Sequence, residues 1–245
     1  GRREMIQDDM RVLVFSGHAA DFCSRAGGTI IRLVERGGTV HVVGMTYGEK
    51  CESAALWADG KKPSLDEVKT ARKAEMEAAV AILGATVDCF DFGDSPLVLD
   101  PERRLQVLDA IRAFRPELVL THWINDLLHP DHAETTQGVL WASCYCGAPG
   151  ITTRHDPCPR PTVVCYETTM GTAPVSKYVP DLYVDITSTF DRKMEALKAF
   201  EAQPALPEVY EVLNRYRAIE SQHVAGLPGC RYAEGFARIG KEGVG

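Results

Sequence analysis

The sequence has no long apolar run and no excess of basic residues. No stretch of the 245-residue chain approaches the roughly 20 apolar residues that a membrane helix requires. The formal net charge is −7, whereas a nucleic-acid-binding face needs an excess of lysine and arginine. We therefore expect neither a membrane nor a nucleic acid as partner. A small anionic substrate is compatible with this charge, because a metal ion and a few arginines can reverse the field within one cleft.

Disulfide and targeting signals are lacking as well. The eight cysteines are scattered along the chain, and the polar segment 1–9 has no signal-peptide core. Scattered cysteines without a secretion signal are typical of reduced thiols, so the sequence predicts a cytoplasmic protein without a disulfide framework. Cys144 and Cys146 are too close together and too isolated to indicate a structural zinc knuckle.

The pattern of apolar residues alternates between strand and helix, with no internal repeat or low-complexity tract. Strands are predicted at 11–17, 39–47, 86–92, 117–121, 162–166 and 182–185, and helices at 22–36, 64–83, 101–114, 131–141, 187–201 and 207–222. This alternation favours an α/β fold, a Rossmann-like and mainly parallel sheet with helices on both faces. The strands are continuous apolar runs, as buried parallel strands are. We expect a single domain over 1–245, with a loop-rich C-terminal portion from about 149.

Two histidine-containing runs each follow a predicted strand. The run HAAD occupies 18–21, and the run HPDH occupies 129–132. An open α/β sheet places its chemistry in loops at the carboxyl ends of strands. Two imidazoles and one carboxylate, from His18, Asp21 and His132, would form a zinc site with open positions if the two strands are neighbours. The sequence therefore predicts Zn²⁺ as cofactor.

Each of these residues also has an ordinary structural role to offer. Asp21 alone is well suited to cap the following helix, and His132 alone would be a surface histidine after a helix-starting proline. Their convergence favours the metal. Near the metal, His129 can stabilise an oxyanion or carry a proton. Asp131 and Asp126 can orient a ligating imidazole, although Asp126 also fits the cap of a turn.

The paired motifs resemble those of the LmbE-like, or PIG-L, zinc deacetylases. The resemblance covers most of the chain and includes the Gly27-Gly28 pair, the pattern Thr-His-x-x-Asn-Asp from Thr121, and the segment YAEGF at 232–236. It implies that His18, Asp21 and His132 are the zinc ligands. It also implies that His129 polarises the reacting oxygen.

Position 20 departs from the deacetylase pattern. Typical deacetylases of this family carry His-Pro-Asp-Asp at this motif, and the first aspartate is the general base that activates water. This chain has Ala20, and alanine cannot exchange a proton. Because losing a positioned acid–base group typically costs 10²–10⁴-fold in rate, we expect altered chemistry rather than the usual amide hydrolysis.

The run HAADF at 18–22 resembles a divergent branch of the family, the 4-oxalomesaconate hydratases of aromatic-acid catabolism. These zinc enzymes add water to a carbon–carbon double bond of an unsaturated oxo-acid. The segment YGEKCES at 47–53 resembles the one that supplies their catalytic glutamate, which implies that role for Glu49. A single loop glutamate is otherwise a solvated side chain. A histidine expected near 166–169 is missing, which leaves a different unsaturated acid open as substrate.

The resulting hypothesis is a zinc-dependent hydratase in which Glu49 exchanges protons and His129 steadies negative charge. Four cations are candidates to pair with substrate carboxylates: Arg25, Lys50, Arg215 and Arg231. The alternatives are a zinc-dependent deacetylase or amidase, in which Glu49 replaces the missing aspartate, and an inactive metal-binding domain. A homo-oligomer is compatible with the sequence, which does not specify the oligomeric state.

Overall fold

The computed structural model describes residues 7–170 and 172–240, which form seven strands and eight helices. In chain order the elements are β1 (Arg11–Ser16), α1 (Asp21–Glu35), β2 (Thr39–Gly44), α2 (Ala54–Trp57), α3 (Leu65–Leu83), β3 (Thr86–Cys89), α4 (Pro101–Phe114), β4 (Leu118–Thr121), α5 (Pro130–Tyr145), β5 (Thr162–Tyr166), α6 (Ala173–Ser176), β6 (Leu182–Asp185), α7 (Phe190–Lys198), α8 (Leu206–Val224) and β7 (Ala233–Arg238). No helix within these ranges combines the length and apolar character that crossing a membrane demands.

All seven strands belong to one sheet, in the order β3-β2-β1-β4-β5-β7-β6. The pairs among β3, β2, β1, β4 and β5 are parallel, whereas β7 is antiparallel to both of its neighbours. β1 and β4 lie side by side, with Val12 opposite Leu118 and Val14 opposite Leu120. The predicted Rossmann-like, mainly parallel α/β fold is confirmed.

Two apolar layers cover the two faces of the sheet, because successive side chains of a strand point to opposite sides. In β1, Val12 and Val14 pack in the cluster that contains the apolar faces of α1, α3, α7 and α8. Leu13 and Phe15 pack on the other side, in the cluster that contains α4 and α5. All four side chains are fully buried, which explains why this strand is a continuous apolar run.

The parallel register places the loops after β1, β2, β3, β4 and β5 at one edge of the sheet. Both histidine runs lie where these loops enter the following helices, since HAAD follows β1 and leads into α1, and HPDH follows β4 and leads into α5. The segment YGEKCES follows β2 at the same edge. The pairing of β1 with β4 therefore brings the two halves of the predicted metal site together.

The C-terminal tail differs from the loop-rich segment expected there. Ala233–Arg238 forms β7, which is inserted between β5 and β6. The charged Glu234 lies within this strand but is 1% exposed, because its carboxylate accepts the backbone N–H of Gly28 at 3.0 Å and of Thr29 at 2.8 Å. Lys193 Nζ neutralises it at 2.7 Å. Because a charged residue interrupts the apolar pattern of this strand, the sequence predicts a loop where the structure has β7.

Replacing Lys193 by methionine is expected to lower the free energy of unfolding by about 3–5 kcal/mol, because it leaves the carboxylate of Glu234 buried without its counter-charge. Lys193 is fully buried and also donates to Asn214 Oδ1 at 2.8 Å. Denaturant unfolding measures the change. The exposed Lys198 on the same helix provides the control: Lys198→Met should change stability by less than about 0.5 kcal/mol. Equal stability of the two variants would contradict the prediction.

Candidate metal and proton-transfer site

The turn between β1 and α1 presents His18 and Asp21 together. Ser16 closes this turn, since its Oγ donates to the carbonyl oxygen of His18 at 2.6 Å and accepts the N–H of Phe22 at 3.1 Å. Helix α1 begins at Asp21, and its N-cap, Ala20, makes no side-chain capping bond. Asp21 Oδ2 instead accepts the N–H of His18 at 2.8 Å. The carboxylate of Asp21 therefore points back toward His18 rather than capping the helix.

His132 approaches from the start of α5. The loop before this helix is held by backbone hydrogen bonds, from His129 N to Asp126 O and from His132 N to His129 O, both at 3.0 Å. Pro130 occupies the first turn of α5, where a missing N–H has no cost. His132 thus lies in the first helical turn, directed at the loop after β1.

His18 Nδ1, Asp21 Oδ2 and His132 Nε2 form a compact triangle, the metal triangle. The His18–Asp21 edge is 3.2 Å, the Asp21–His132 edge 3.3 Å and the His18–His132 edge 3.2 Å. The three residues are at most 2% exposed. A tetrahedral ion with bonds of about 2.1 Å requires ligand atoms about 3.4 Å apart. The triangle has the dimensions of a zinc-like site.

Two carboxylates select the ring nitrogens that face the triangle. Asp126 Oδ2 lies 2.9 Å from His132 Nδ1, and Asp131 Oδ2 lies 3.3 Å from His18 Nε2. Each carboxylate is itself anchored by N–H donors, from Thr169 to Asp126 and from Ser95 to Asp131, both at 2.9 Å. With the protons on these far nitrogens, the near nitrogens direct lone pairs at the same point. Three converging lone pairs are compatible with a cation between them.

The electrostatic field of the site also favours a cation. Burial lowers the pKa of His18, but Glu52, Asp131 and Asp21 outweigh it and hold this pKa well above its ordinary value. Burial raises the pKa of Asp21, while His132 and Arg25 outweigh it and keep this carboxyl ionised, with its pKa well below the usual range. A pocket that stabilises a proton on a buried imidazole stabilises a metal ion in its place.

Glu52 faces the metal triangle from the loop after β2. Its Oε1 lies 2.9 Å from His129 Nε2, 3.6 Å from His18 Nδ1 and 3.9 Å from His132 Nε2. Burial and Asp21 raise its pKa, but His18 and His129 reverse the effect and lower the pKa of Glu52 to about 2. The side chain is ionised at neutral pH and keeps 13% exposure. It is placed to accept a proton from a molecule bound at the triangle.

Glu49, the glutamate that the sequence pattern selected, does not face the triangle. Its Oε1 lies 3.9 Å from Lys69 Nζ, and the side chain is 1% exposed. Within the described residues it has no hydrogen bond or ion pair with His18, Asp21 or His132. The chain turns sharply after β2, where Gly48 has φ +68° and Glu52 N donates to Gly48 O at 3.1 Å. This turn brings Glu52 to the site instead of Glu49.

His122 is a further buried imidazole to which the sequence analysis assigned no role. Its ring stacks on that of His132, with centroids 3.9 Å apart and an interplanar angle of 16°. Burial, together with His132, lowers the pKa of His122 to about 3. The neutral ring accepts the N–H of Gly17 at 2.8 Å. In the sequence, only the pattern that begins with Thr121-His122 singles this histidine out. Its stacking on His132 is visible only in the structure.

The four candidate substrate-binding cations are dispersed. The guanidinium of Arg25 is buried and hydrogen-bonded within the protein: Nη1 donates to Asp21 Oδ1 at 2.6 Å and Nε donates to Glu167 O at 3.0 Å. Lys50 is exposed beside the Glu52 loop, with Nζ donating to Asp94 O at 2.8 Å. Arg215 on α8 and Arg231 before β7 are exposed, and in the described ranges neither contacts a triangle residue. Only Lys50 of this set is both exposed and adjacent to the site.

Comparison with known proteins identifies a family and several similar chains. The family model described as PIG-L: GlcNAc-PI de-N-acetylase matches residues 13–143. A 4-oxalmesaconate hydratase of Pseudomonas putida is 34% identical, over 97% of this chain and 92% of its own. The crystal structure of GalB, the 4-carboxy-2-hydroxymuconate hydratase of Pseudomonas putida, has a TM-score of 0.89 at 32% identity and covers 96% of this chain and 98% of its own. A diacetylchitobiose deacetylase of Thermococcus kodakarensis is 29% identical, over 95% of this chain and 84% of its own.

Proposed function

The chain belongs to the PIG-L family, and we propose that it is a zinc-dependent hydratase. The substrate is an unsaturated oxo-carboxylic acid such as 4-oxalomesaconate, and water adds across its carbon–carbon double bond. One observation carries the proposal. The carboxylate of Glu52 faces the metal triangle, with Oε1 3.6 Å from His18 Nδ1, whereas the position of the deacetylase base is held by Ala20, which is 2% exposed and packed in the apolar cluster around α1. Similarity over nearly the whole chain to a hydratase sequence and to a hydratase crystal structure supports it.

His18, Asp21 and His132 would hold the zinc ion, whose preference for imidazole and carboxylate matches this donor set. When bound, zinc supplies a Lewis acid that stabilises negative charge on a neighbouring oxygen. Asp126 and Asp131 keep the two imidazoles in the ligating tautomer through their far nitrogens. Glu52 faces one side of the triangle, where water and substrate would be bound.

In hydration, the oxygen of water bonds to the electrophilic carbon of the double bond, and the proton of water has to reach the neighbouring carbon. Glu52 is ionised and accepts that proton as the carbon–oxygen bond forms. His129 Nε2, 2.9 Å from Glu52 Oε1, is a second carrier that can return a proton to carbon or steady the charge on the substrate carbonyl. Together the two residues perform both proton steps.

The charge of the substrate requires a cation at the mouth of the site. Asp21, Glu52, Asp126 and Asp131 make the surroundings of the triangle acidic, so an anionic substrate needs the metal and at least one free basic side chain. Lys50 is exposed, and its Nζ donates one hydrogen bond, to the carbonyl oxygen of Asp94 at 2.8 Å; an ammonium group has two further N–H donors for a substrate carboxylate. We assign Lys50 to a substrate carboxylate, and this role goes to Lys50 in preference to the buried Arg25.

The zinc-loaded protein is expected to hydrate 4-oxalomesaconate and to leave diacetylchitobiose intact. Hydration removes a conjugated double bond, so the ultraviolet absorbance of the substrate falls and a product heavier by one water is formed. Acetate release from the sugar is measured in parallel. Ala20→Asp is the informative variant, because it restores the deacetylase residue and should not raise the hydration rate. Acetate release without hydration would overturn the proposal and identify the wild-type chain as a deacetylase.

A further inference from the structure

We infer that Gln203 is a positioning residue, which holds the carboxylate of Glu52 with one oxygen facing the metal triangle. The inference rests on the proposed function, in which Glu52 exchanges a proton with water. Gln203 lies in the loop between α7 and α8, 151 residues from Glu52 along the chain. It belongs to neither histidine motif and to no pattern singled out in the sequence.

The two oxygens of Glu52 have different surroundings. Oε1 lies 2.9 Å from His129 Nε2 and faces the triangle. Oε2 points the other way and accepts a hydrogen bond from Gln203 Nε2 at 3.3 Å. A glutamate side chain in a loop has several rotamers, and a donor on the far oxygen restricts the rotation that would turn Oε1 away.

A buried arginine determines which end of the Gln203 amide faces Glu52. Arg72 Nη2 donates to Gln203 Oε1 at 2.6 Å, and a guanidinium can only donate. The carbonyl oxygen of Gln203 must therefore face Arg72, and the NH₂ group is left to face Glu52. The amide cannot flip without placing two donors against each other and its oxygen against a carboxylate.

Arg72 is itself rigidly held. It is fully buried, and its Nη1 and Nε donate to Glu75 Oε2 at 2.5 Å and to Tyr47 O at 3.2 Å. Glu75 also accepts the N–H of Ala202 at 2.8 Å, beside Gln203 in the chain. These contacts hold the α7–α8 loop against α3 beside Gln203. Arg72 therefore orients the amide of Gln203, and that amide orients the carboxylate of Glu52.

A purely structural role for Gln203 would consist of satisfying Arg72 and nothing more. Gln203→Glu separates the two roles, because its carboxylate still accepts from Arg72 but offers no donor to Glu52. Gln203→Met removes both contacts at similar volume. Gln137→Glu, on the exposed surface of α5, introduces the same charge away from the site and is the matched control.

We expect Gln203→Glu and Gln203→Met to lower kcat by about 10- to 100-fold with KM nearly unchanged, since a misplaced reacting group loses rate on that scale. In a Glu52→Gln background neither substitution should lower kcat further, because coupled residues are not additive. Crystal structures of the two variants should show the Glu52 carboxylate turned away from His129. Gln137→Glu should keep the wild-type kcat.

Three results would overturn the inference: wild-type kcat in both Gln203 variants, a loss that persists in full in the Glu52→Gln background, or an unmoved Glu52 carboxylate in the variant structures. The position of the Glu52 carboxylate in the variant crystal structures can be compared even if the protein has no hydratase activity. If the wild-type protein shows no hydration, the proposed function fails, whereas a displaced Glu52 in the variants still supports the positioning role. The two ideas can therefore fail separately.

Discussion

Removal of one imidazole of the metal triangle, by His18→Ala or His132→Ala, is expected to eliminate stoichiometric zinc and with it nearly all turnover. The triangle has edges of 3.2–3.3 Å, and two remaining ligands hold a tetrahedral zinc ion far more weakly than three. The loss should exceed the roughly 10- to 100-fold in metal affinity that changing an outer hydrogen-bond partner costs. Elemental analysis of the purified variants, with a zinc titration, measures it.

His155→Ala is the control for this experiment. His155 is a half-exposed histidine whose Nδ1 lies 3.1 Å from Asp109 Oδ1, away from the triangle. Its replacement should leave zinc content and turnover unchanged. Full zinc occupancy in either triangle variant would remove that histidine from the metal site, and zinc loss in the His155 variant would indicate a general effect of histidine removal.

The second large effect is expected at Glu52. Glu52→Gln retains the size of the side chain but cannot take a proton, so kcat should fall by about 10²–10⁴-fold while zinc content stays at the wild-type level. Glu49→Gln is the matched comparison three residues earlier, and its effect should be far below the 10²–10⁴-fold range, because the Glu49 carboxylate lies against Lys69. Steady-state kinetics and elemental analysis of both proteins measure this difference.

The outcome distinguishes the two glutamates directly. A large loss of kcat in Glu49→Gln with near-normal turnover in Glu52→Gln would return the proton-transfer role to Glu49. Loss of zinc in Glu52→Gln would instead identify Glu52 as a metal ligand. Its Oε1 lies 3.6 Å from His18 Nδ1 and 3.9 Å from His132 Nε2, close enough for this role. Retained zinc with lost turnover is the expected combination.

The fold was largely predictable because its elements leave local signals. Buried parallel strands are continuous apolar runs, and the six predicted strands all contain observed strands of the sheet. Strand β7 was missed for a specific reason. Its Glu234 is charged in sequence, and only the distant Lys193 and the N–H groups of α1 make its burial favourable.

In the candidate site, too, some residues were predictable from local sequence and others were not. His18, Asp21 and His132 were selected by motif and strand position, and the structure brings them together; their role as zinc ligands stays a prediction. For proton transfer, the sequence pattern selected Glu49, whereas the structure places the carboxylate of Glu52 beside the metal triangle; which of the two exchanges the proton stays a prediction. Glu49 and Glu52 lie in one segment, and nothing local in YGEKCES indicates which of the two carboxylates the turn at Gly48 directs toward the metal triangle.

Local pattern was thus sufficient for the class of fold and for the edge of the sheet at which His18, Asp21 and His132 meet. These features follow from hydrophobic periodicity and from short-range turns, which depend on neighbours in the chain. Other features depend on contacts between residues far apart in sequence. They are the position of Glu52 beside the metal triangle, the stacking of His122 on His132, and the hydrogen bonds that link Arg72, Gln203 and Glu52. Such contacts exist only once α3, the α7–α8 loop and the strand-end loops have packed together, because packing alone sets which buried polar groups meet.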